Sequence, residues 1–154
     1  MHDVPHGQFN IHWLGQICVV CLAGTFNRPG AQALHNALAA AWGNAGRPEH
    51  WAHIVDLRTW EGGTPKSFGA GRNMAEWSFA HGVALVIRLH HGGFLPRMVD
   101  RHGVLDASPV PVLDCAEISD VQAALVTHGF SVVGLEQALN TPGCGSAPAG
   151  TLSQ

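Results

Sequence analysis

Three apolar runs of strand length, each separated from the next by a helix-length segment, constrain this chain more than any other feature: Ile17–Ala23, Trp51–Leu57 and Val83–Leu89. The first is so dense in apolar side chains that it reads as a strand buried on both faces. Between the first two runs, Asn27-Arg28-Pro29 opens a helix, with the proline in its first turn. Leu34, Leu38, Ala41 and Trp42 follow at i, i+4, i+7 and i+8, a single stripe on that helix, and Gly43 and Gly46 end it. Between the second and third runs, Asp56-Leu57-Arg58 finishes the strand and Gly62-Gly63 makes a loop. Thr64-Pro65 then reads as an N-cap followed by an N1 proline, starting a helix that runs to about Ala80 and stops at Gly82.

The flanks extend this alternation. Phe9–Leu14 alternates moderately and is joined to Ile17–Ala23 through Gly15-Gln16, which predicts a hairpin. After Val83–Leu89, His90-His91 and Gly92-Gly93 lead into a short helix with Phe94, Leu95, Met98 and Val99 on one side. Val110–Leu113 reads as a last short strand. Ser119 and Gln122 form a capping box for a final helix carrying Val121, Ala124 and Leu125, closed by Gly129. The tail Thr141–Gln154, rich in Gly, Pro, Ser and Ala, is expected to be disordered. The expectation is one α/β domain over residues 1–140. Right-handed crossovers give it a mainly parallel central sheet of about five strands, an antiparallel first strand and about four helices. Ligands of such sheets sit outside the carboxyl ends of the strands. Here those ends are Thr25–Arg28, Asp56–Thr64, Leu89–Gly93 and Asp114–Glu117.

Composition removes several function classes. A length of 154 residues fits one domain, and 46% hydrophobic with 12% charged residues is that of a globular chain low in charge. A formal charge of −3 gives no basic footprint for nucleic acid. The start Met1-His2-Asp3-Val4-Pro5 lacks the regions of a signal peptide, and no apolar run approaches the roughly 18 residues a membrane span needs. Four cysteines in a chain of this size do not suggest a disulfide scaffold. The chain therefore reads as soluble, reduced and cytoplasmic.

The chemical motifs thin out under inspection. Cys18 and Cys21 have redox or zinc spacing, but on a strand positions i and i+3 face opposite ways, so both read as core thiols. Eleven histidines invite a metal, yet His50 and His53 sit at a strand entry, His90-His91 at a strand end, and adjacent strand residues diverge. Gly62–Ser67 resembles a phosphate loop but has Pro65 where that loop needs glycine before the lysine. Gly69-Ala70-Gly71 has Met74 at the third glycine position of a dinucleotide fingerprint, and it lies inside a helix. No cofactor and no metal is therefore expected. No serine carries a nucleophile-elbow signature. Paired carboxylates are thin: Asp56 and Glu61 lie near one strand end, a remote option for acid/base chemistry against the commoner role of bonding nearby backbone N–H groups.

Several segments together carry a family resemblance. They are Gly24-Thr25-Phe26-Asn27 after a core strand, Asp56-Leu57-Arg58, and Glu61-Gly62-Gly63-Thr64-Pro65, with Asn73, Trp77 and the Val83–Ile87 strand. In these the chain resembles the STAS-like group related to the sporulation anti-sigma factor antagonists, and more specifically a set of uncharacterised bacterial proteins of that fold. The resemblance covers about residues 8–130. It implies a regulatory or binding domain rather than an enzyme. Antagonists carry an Asp-Ser-Ser/Ala-Gly motif at the helix start after the second core strand, where the serine is phosphorylated. This chain has Gly63-Thr64-Pro65-Lys66 there, so no phosphorylation site is expected and Thr64 reads as a cap.

The expected binding surface comprises Arg58, Trp60 and Thr64, with Phe94 and Met98 on the short helix as a movable flap between Gly92-Gly93 and Gly103. Its occupant would be an apolar or lipid-like small molecule, or a protein partner. The alternatives are a homodimeric interaction module without a ligand and, beyond it, a peripheral membrane contact. For Trp60 the competing reading is a lid folded over the sheet edge. For the short helix it is plain packing on the sheet.

Overall fold

The computed structural model describes residues 4–105, 107–140 and 151–153. The chain runs β1 (Gln8–Leu14), β2 (Ile17–Phe26), α1 (Arg28–Asn44), β3 (Trp51–Gly63), α2 (Pro65–Ala80), β4 (Val83–Leu89), α3 (Phe94–Arg101), β5 (Val112–Cys115), α4 (Ile118–Thr127), α5 (Leu135–Leu139) and β6 (Thr151–Ser153). One sheet holds the strands in the order β5-β4-β3-β2-β1-β6. The β1–β2 hairpin is antiparallel, with Ile11 opposite Val20, and β2 through β5 are parallel neighbours. β6 adds parallel to β1 through residues 151–153. The rest of the expected tail, residues 141–150 and 154, lies outside the described residues.

Strand order decides where the helices go. From β2 to β5 the sheet grows steadily in one direction. Right-handed crossovers therefore put α1, α2 and α3 on the same face. That face holds Leu34 and Leu38 of α1, Phe68 and Ala70 of α2, and Met98 and Val99 of α3, packed on Val20, Trp51, Leu57 and Val86. The C-terminal α4 and α5 cover the other face, placing Val121, Leu125, Leu135 and Leu139 against Val19, Ile54, Leu85 and Ile87. The five-residue α5 was not anticipated, because its apolar residues are too few to show a period.

Local signals set most boundaries. Asn27 caps α1 by accepting the Gly30 N–H at 2.9 Å, and its side chain also fastens the N-terminal strap, accepting from His6 N–H and donating to Val4 O at 2.8 Å each. Thr64 is the N-cap of α2, with Pro65 following. The expected capping box at Ser119 is not formed. α4 begins two residues earlier with Glu117 as N-cap, no side chain caps it, and Ser119 already lies within the helix.

The larger departure is β3. It continues thirteen residues to Gly63, so Trp60 stands on a strand and not in a loop. Two register shifts against β2 each insert one extra residue into β3, between the pairs Cys21↔Asp56 and Ala23↔Thr59, and again after Gly24↔Trp60. A bulge of this kind breaks strict alternation. Leu57 and Trp60, three positions apart, consequently enter the same core cluster.

Candidate ligand cavity

The sequence of β3 alternates Trp51, His53, Val55, Leu57 with Ala52, Ile54, Asp56. The first set faces α1 and α2. The core there does not close completely. A cavity of about 130 Å³ remains between the sheet and α1, α2 and the α3 end, walled by Leu34, Val55, Trp60, Phe68, Val86 and Val99 among others. Trp60 meets Phe68 edge-on, with ring centroids 6.2 Å apart, and Phe68 stacks on His102 at 4.3 Å. Val104 and Leu105, just beyond α3, line the cavity as well.

Four polar side chains reach this otherwise apolar wall: His53, Ser67, Ser78 and Arg88. Three have partners. Ser67 Oγ donates to Thr64 O at 2.6 Å, and Ser78 Oγ donates to Met74 O at 3.0 Å, so each hydroxyl bonds back into its own helix or its cap. Arg88 donates from Nε and Nη2 to the two oxygens of Asp114, at 2.8 and 3.0 Å, and from Nη1 to Asp100 at 2.7 Å. Burial works against the Arg88 charge, but the bonds to Asp114 and Asp100 outweigh it and its pKa is raised. Burial likewise works against the Asp114 carboxylate, yet Arg88 and His90 hold its pKa below the usual range. The His90 Nδ1 accepts the Gly92 N–H at 2.9 Å, so its proton sits on Nε2, which bonds Asp114. This cluster ties α3 to β4 and β5.

His53 differs. It is 4% exposed, and its Nε2 has no hydrogen-bond partner among the described residues. Burial pushes its pKa down to about 4, so the imidazole is neutral at neutral pH. An unpaired buried polar atom costs on the order of 1–3 kcal/mol. His53 is among the residues that line the cavity, with Nε2 itself shielded from it.

The expected binding residues separate on this geometry. Trp60 lines the cavity and is 7% exposed, so it is both core and wall. Met98 packs into the same cluster from α3. The side chain of Phe94 lies outside the described residues. Thr64 is occupied as a cap. Arg58 points to the opposite face, where it donates to both oxygens of buried Asp56 at 2.9 and 2.8 Å and to Leu139 O at 2.7 Å. The Arg58 backbone N–H also donates to Asp56, the role expected of an aspartate at a strand end. Glu61 is exposed, and no hydrogen bond joins it to Asp56 among the described residues. Arg58, Trp60 and Thr64 thus do not form one surface, because the bulge turns Trp60 to the face covered by α1 and α2 while Arg58 stays on the face covered by α4 and α5.

The cysteines divide as strand geometry requires. Cys18 joins the cluster beneath α1 and α2 while Cys21 joins the one beneath α4 and α5. Cys18 is a free buried thiol with its pKa pushed up by burial. Cys21 is fully buried, as the core reading expects, but it is disulfide-bonded rather than reduced. Among the described residues no helix is long and apolar enough to cross a membrane.

No family model and no curated protein matches the sequence. Two solved structures are similar over most of its length. One is an uncharacterised protein of the DUF3478 family with a SpoIIAA-like fold from Shewanella loihica PV-4, with a TM-score of 0.58, 12% identity, and coverage of 81% of this chain and 98% of that one. This chain is SpoIIAA-like in fold. The second, an anti-sigma factor antagonist from Mycobacterium paratuberculosis, has a TM-score of 0.56 at 17% identity, covering 77% of this chain and 93% of that one. The STAS-like resemblance read from the sequence is thereby met at the level of fold.

Sequence reasoning missed His53 and Arg88 as cavity residues. Both carried a signal: each is the polar member of an otherwise apolar inward set, in Trp51-His53-Val55-Leu57 and in Leu85–Leu89. Such a residue inside a dense strand must be bonded or serve a site.

Proposed function

We propose that this protein is a non-enzymatic, ligand-responsive regulatory domain whose sensing element is the cavity between the sheet and α1, α2 and α3. The observation that carries the reading is the apolar space itself, left open between the sheet and these helices and lined by Trp60, Phe68 and Val86. Cavities with few convergent polar groups are the usual form of small-molecule sites. The fold shared with an anti-sigma factor antagonist supports a regulatory role through a protein partner. The ligand arm of the reading is a small apolar or amphipathic molecule. The cover is α3, held to the sheet by the Arg88–Asp100 ion pair, in which Asp100 is largely exposed. An occupant displacing Val99 or Val104 would push on this helix and alter the surface a partner meets. Enzymatic acid/base chemistry finds less support, since Asp56 is committed to Arg58.

Native mass spectrometry of the freshly purified full chain tests the reading. The expected result is a bound small-molecule mass, or one acquired from a metabolite extract, that is lost in Gly71→Leu. Gly71 lines the cavity, and a Cβ there would already touch Val104 at 3.7 Å, so the remainder of a leucine side chain takes up cavity space. A wild-type spectrum free of adducts after exposure to the extract, or one identical to that of the variant, contradicts it.

A further inference from the structure

We infer that the cavity has an outer headgroup subsite, and that the ligand is a compact amphipathic carboxylate whose charged end is held by Arg72 and Arg101. The inference rests on the cavity being a ligand site and deepens that reading by naming how the ligand is anchored.

Two spaces adjoin in this part of the molecule. The second, a groove of about 490 Å³, lies between α2 and the C-terminal end of α3. Its volume falls in the range of about 300–1,000 Å³ usual for small-molecule sites. Phe79 and Val104, both half-buried, line the groove and the apolar cavity alike, so the two spaces meet at that pair of side chains. His102, a further wall of the groove, stacks on Phe68, a wall of the cavity, at 4.3 Å. A guest lying across Phe79 and Val104 has one end in each space.

Charge separates the two ends. Arg72 of α2 and Arg101 of α3 border the groove against one carboxylate, Glu76, among the described residues. Arg72 donates from Nη2 to His102 O at 2.9 Å, which leaves the rest of its guanidinium for a ligand. Arg101 is exposed and has no hydrogen-bond or ion-pair partner among the described residues. Two guanidinium groups against one carboxylate leave a surplus for a single negative charge, and their fork geometry matches a planar carboxylate. Arg88, in the wall of the cavity, already faces Asp100 and Asp114 and offers no such surplus. The charged end therefore stays in the groove, where water reaches it, and the apolar end goes inward.

Size bounds that inward end. In an unrelated engineered protein, an apolar cavity of about 150 Å³ takes up benzene. The space of about 130 Å³ here accepts a ring or a few methylenes, and a long acyl chain exceeds it. A carboxylate shared by Arg72 and Arg101 also ties α3 to α2, giving the ligand a direct hold on the helix that covers the cavity.

A titration of ¹⁵N-labelled full chain with octanoate, octan-1-ol and acetate, followed by amide chemical shifts, tests the assignment. Octanoate should saturably shift Arg72 and Gly103 at the groove together with Leu34 and Val86 at the cavity. It should bind about threefold to tenfold more tightly than octan-1-ol at low salt, an advantage that shrinks in about 1 M salt. Acetate, which carries the head without the body, should bind at least about tenfold more weakly than octanoate. Arg101→Glu, which breaks no contact with a described residue, should make octanoate the weaker of the two long ligands and leave octan-1-ol within about twofold of wild type. Equal affinity of octanoate and octan-1-ol for wild type, or a preference for octanoate that survives in Arg101→Glu, overturns the anchored carboxylate while leaving the cavity reading standing. Octan-1-ol in the cavity with octanoate confined to the groove overturns the continuity of the two spaces. Absence of cavity shifts with either long ligand overturns the cavity reading itself.

Discussion

Replacing His53 by leucine removes a group whose protonation the fold opposes, and the consequence is a specific change in acid stability. Unfolded, this histidine takes a proton below its ordinary pKa of 6.5, whereas folded it does so only near pH 4. Between those values the unfolded chain binds more protons, so wild-type stability falls as pH is lowered through the window, and the full contribution is present above about pH 6.5. At about 1.4 kcal/mol per pH unit, the loss from His53 alone reaches about 3 kcal/mol at pH 4. His12 and His35, also depressed by burial, act in the same direction but are present in both proteins and cancel in the difference. Asp114, held below the usual carboxylate range, acts below this window and cancels as well. At pH 7 the variant should lie within about 1 kcal/mol of wild type, because an unpaired buried polar group is exchanged for an apolar one of similar size. Urea unfolding followed by tryptophan fluorescence at pH 7, 6, 5 and 4 measures the difference. If His53→Leu loses as much stability between pH 7 and pH 4 as wild type does, His53 is not the buried neutral imidazole described here.

Three further outcomes are expected. Asn27→Ala removes the α1 cap and both ties to the N-terminal strap, and should cost about 1–2 kcal/mol in urea unfolding while speeding amide exchange at His6. Gly69→Ala, in mid-helix with no atom within 4 Å of the added Cβ, should stabilise by about 0.5–1 kcal/mol, a rise of about 1–4 °C in Tm by calorimetry. Arg58→Ala leaves the buried Asp56 carboxylate without its counter-charge and unties Leu139 O, and should cost about 2 kcal/mol by urea midpoint, discounted for the partial exposure of Arg58.

Much of the fold was legible because local and global signals agreed. The dense run Val83–Leu89 is a strand with those same bounds, and Asn27-Arg28-Pro29 and Thr64-Pro65 start helices where capping chemistry places them. The β1–β2 hairpin and the parallel remainder followed from apolar period and connection length. The candidate site was far less legible. Its geometry hangs on the bulges in β3, which no residue between Leu57 and Gly62 announces and which send Trp60 and Arg58 to opposite faces. A volume left over by imperfect packing of α1, α2 and α3 has no sequence signature either, since every wall residue would look the same in a solid core. His53 was visible as a polar residue in an apolar strand, but only the packing shows that its Nε2 meets no partner.

The account stands on the space beneath α1, α2 and α3 being a site that a guest can occupy. A crystal of the full chain held under xenon pressure tests this without assuming the ligand, because apolar cavities of this size take up xenon. The predicted result is a xenon atom between Trp60, Leu34 and Val86 in wild type and none there in Gly71→Leu. Closure of those side chains onto one another, with no xenon between them, would contradict it.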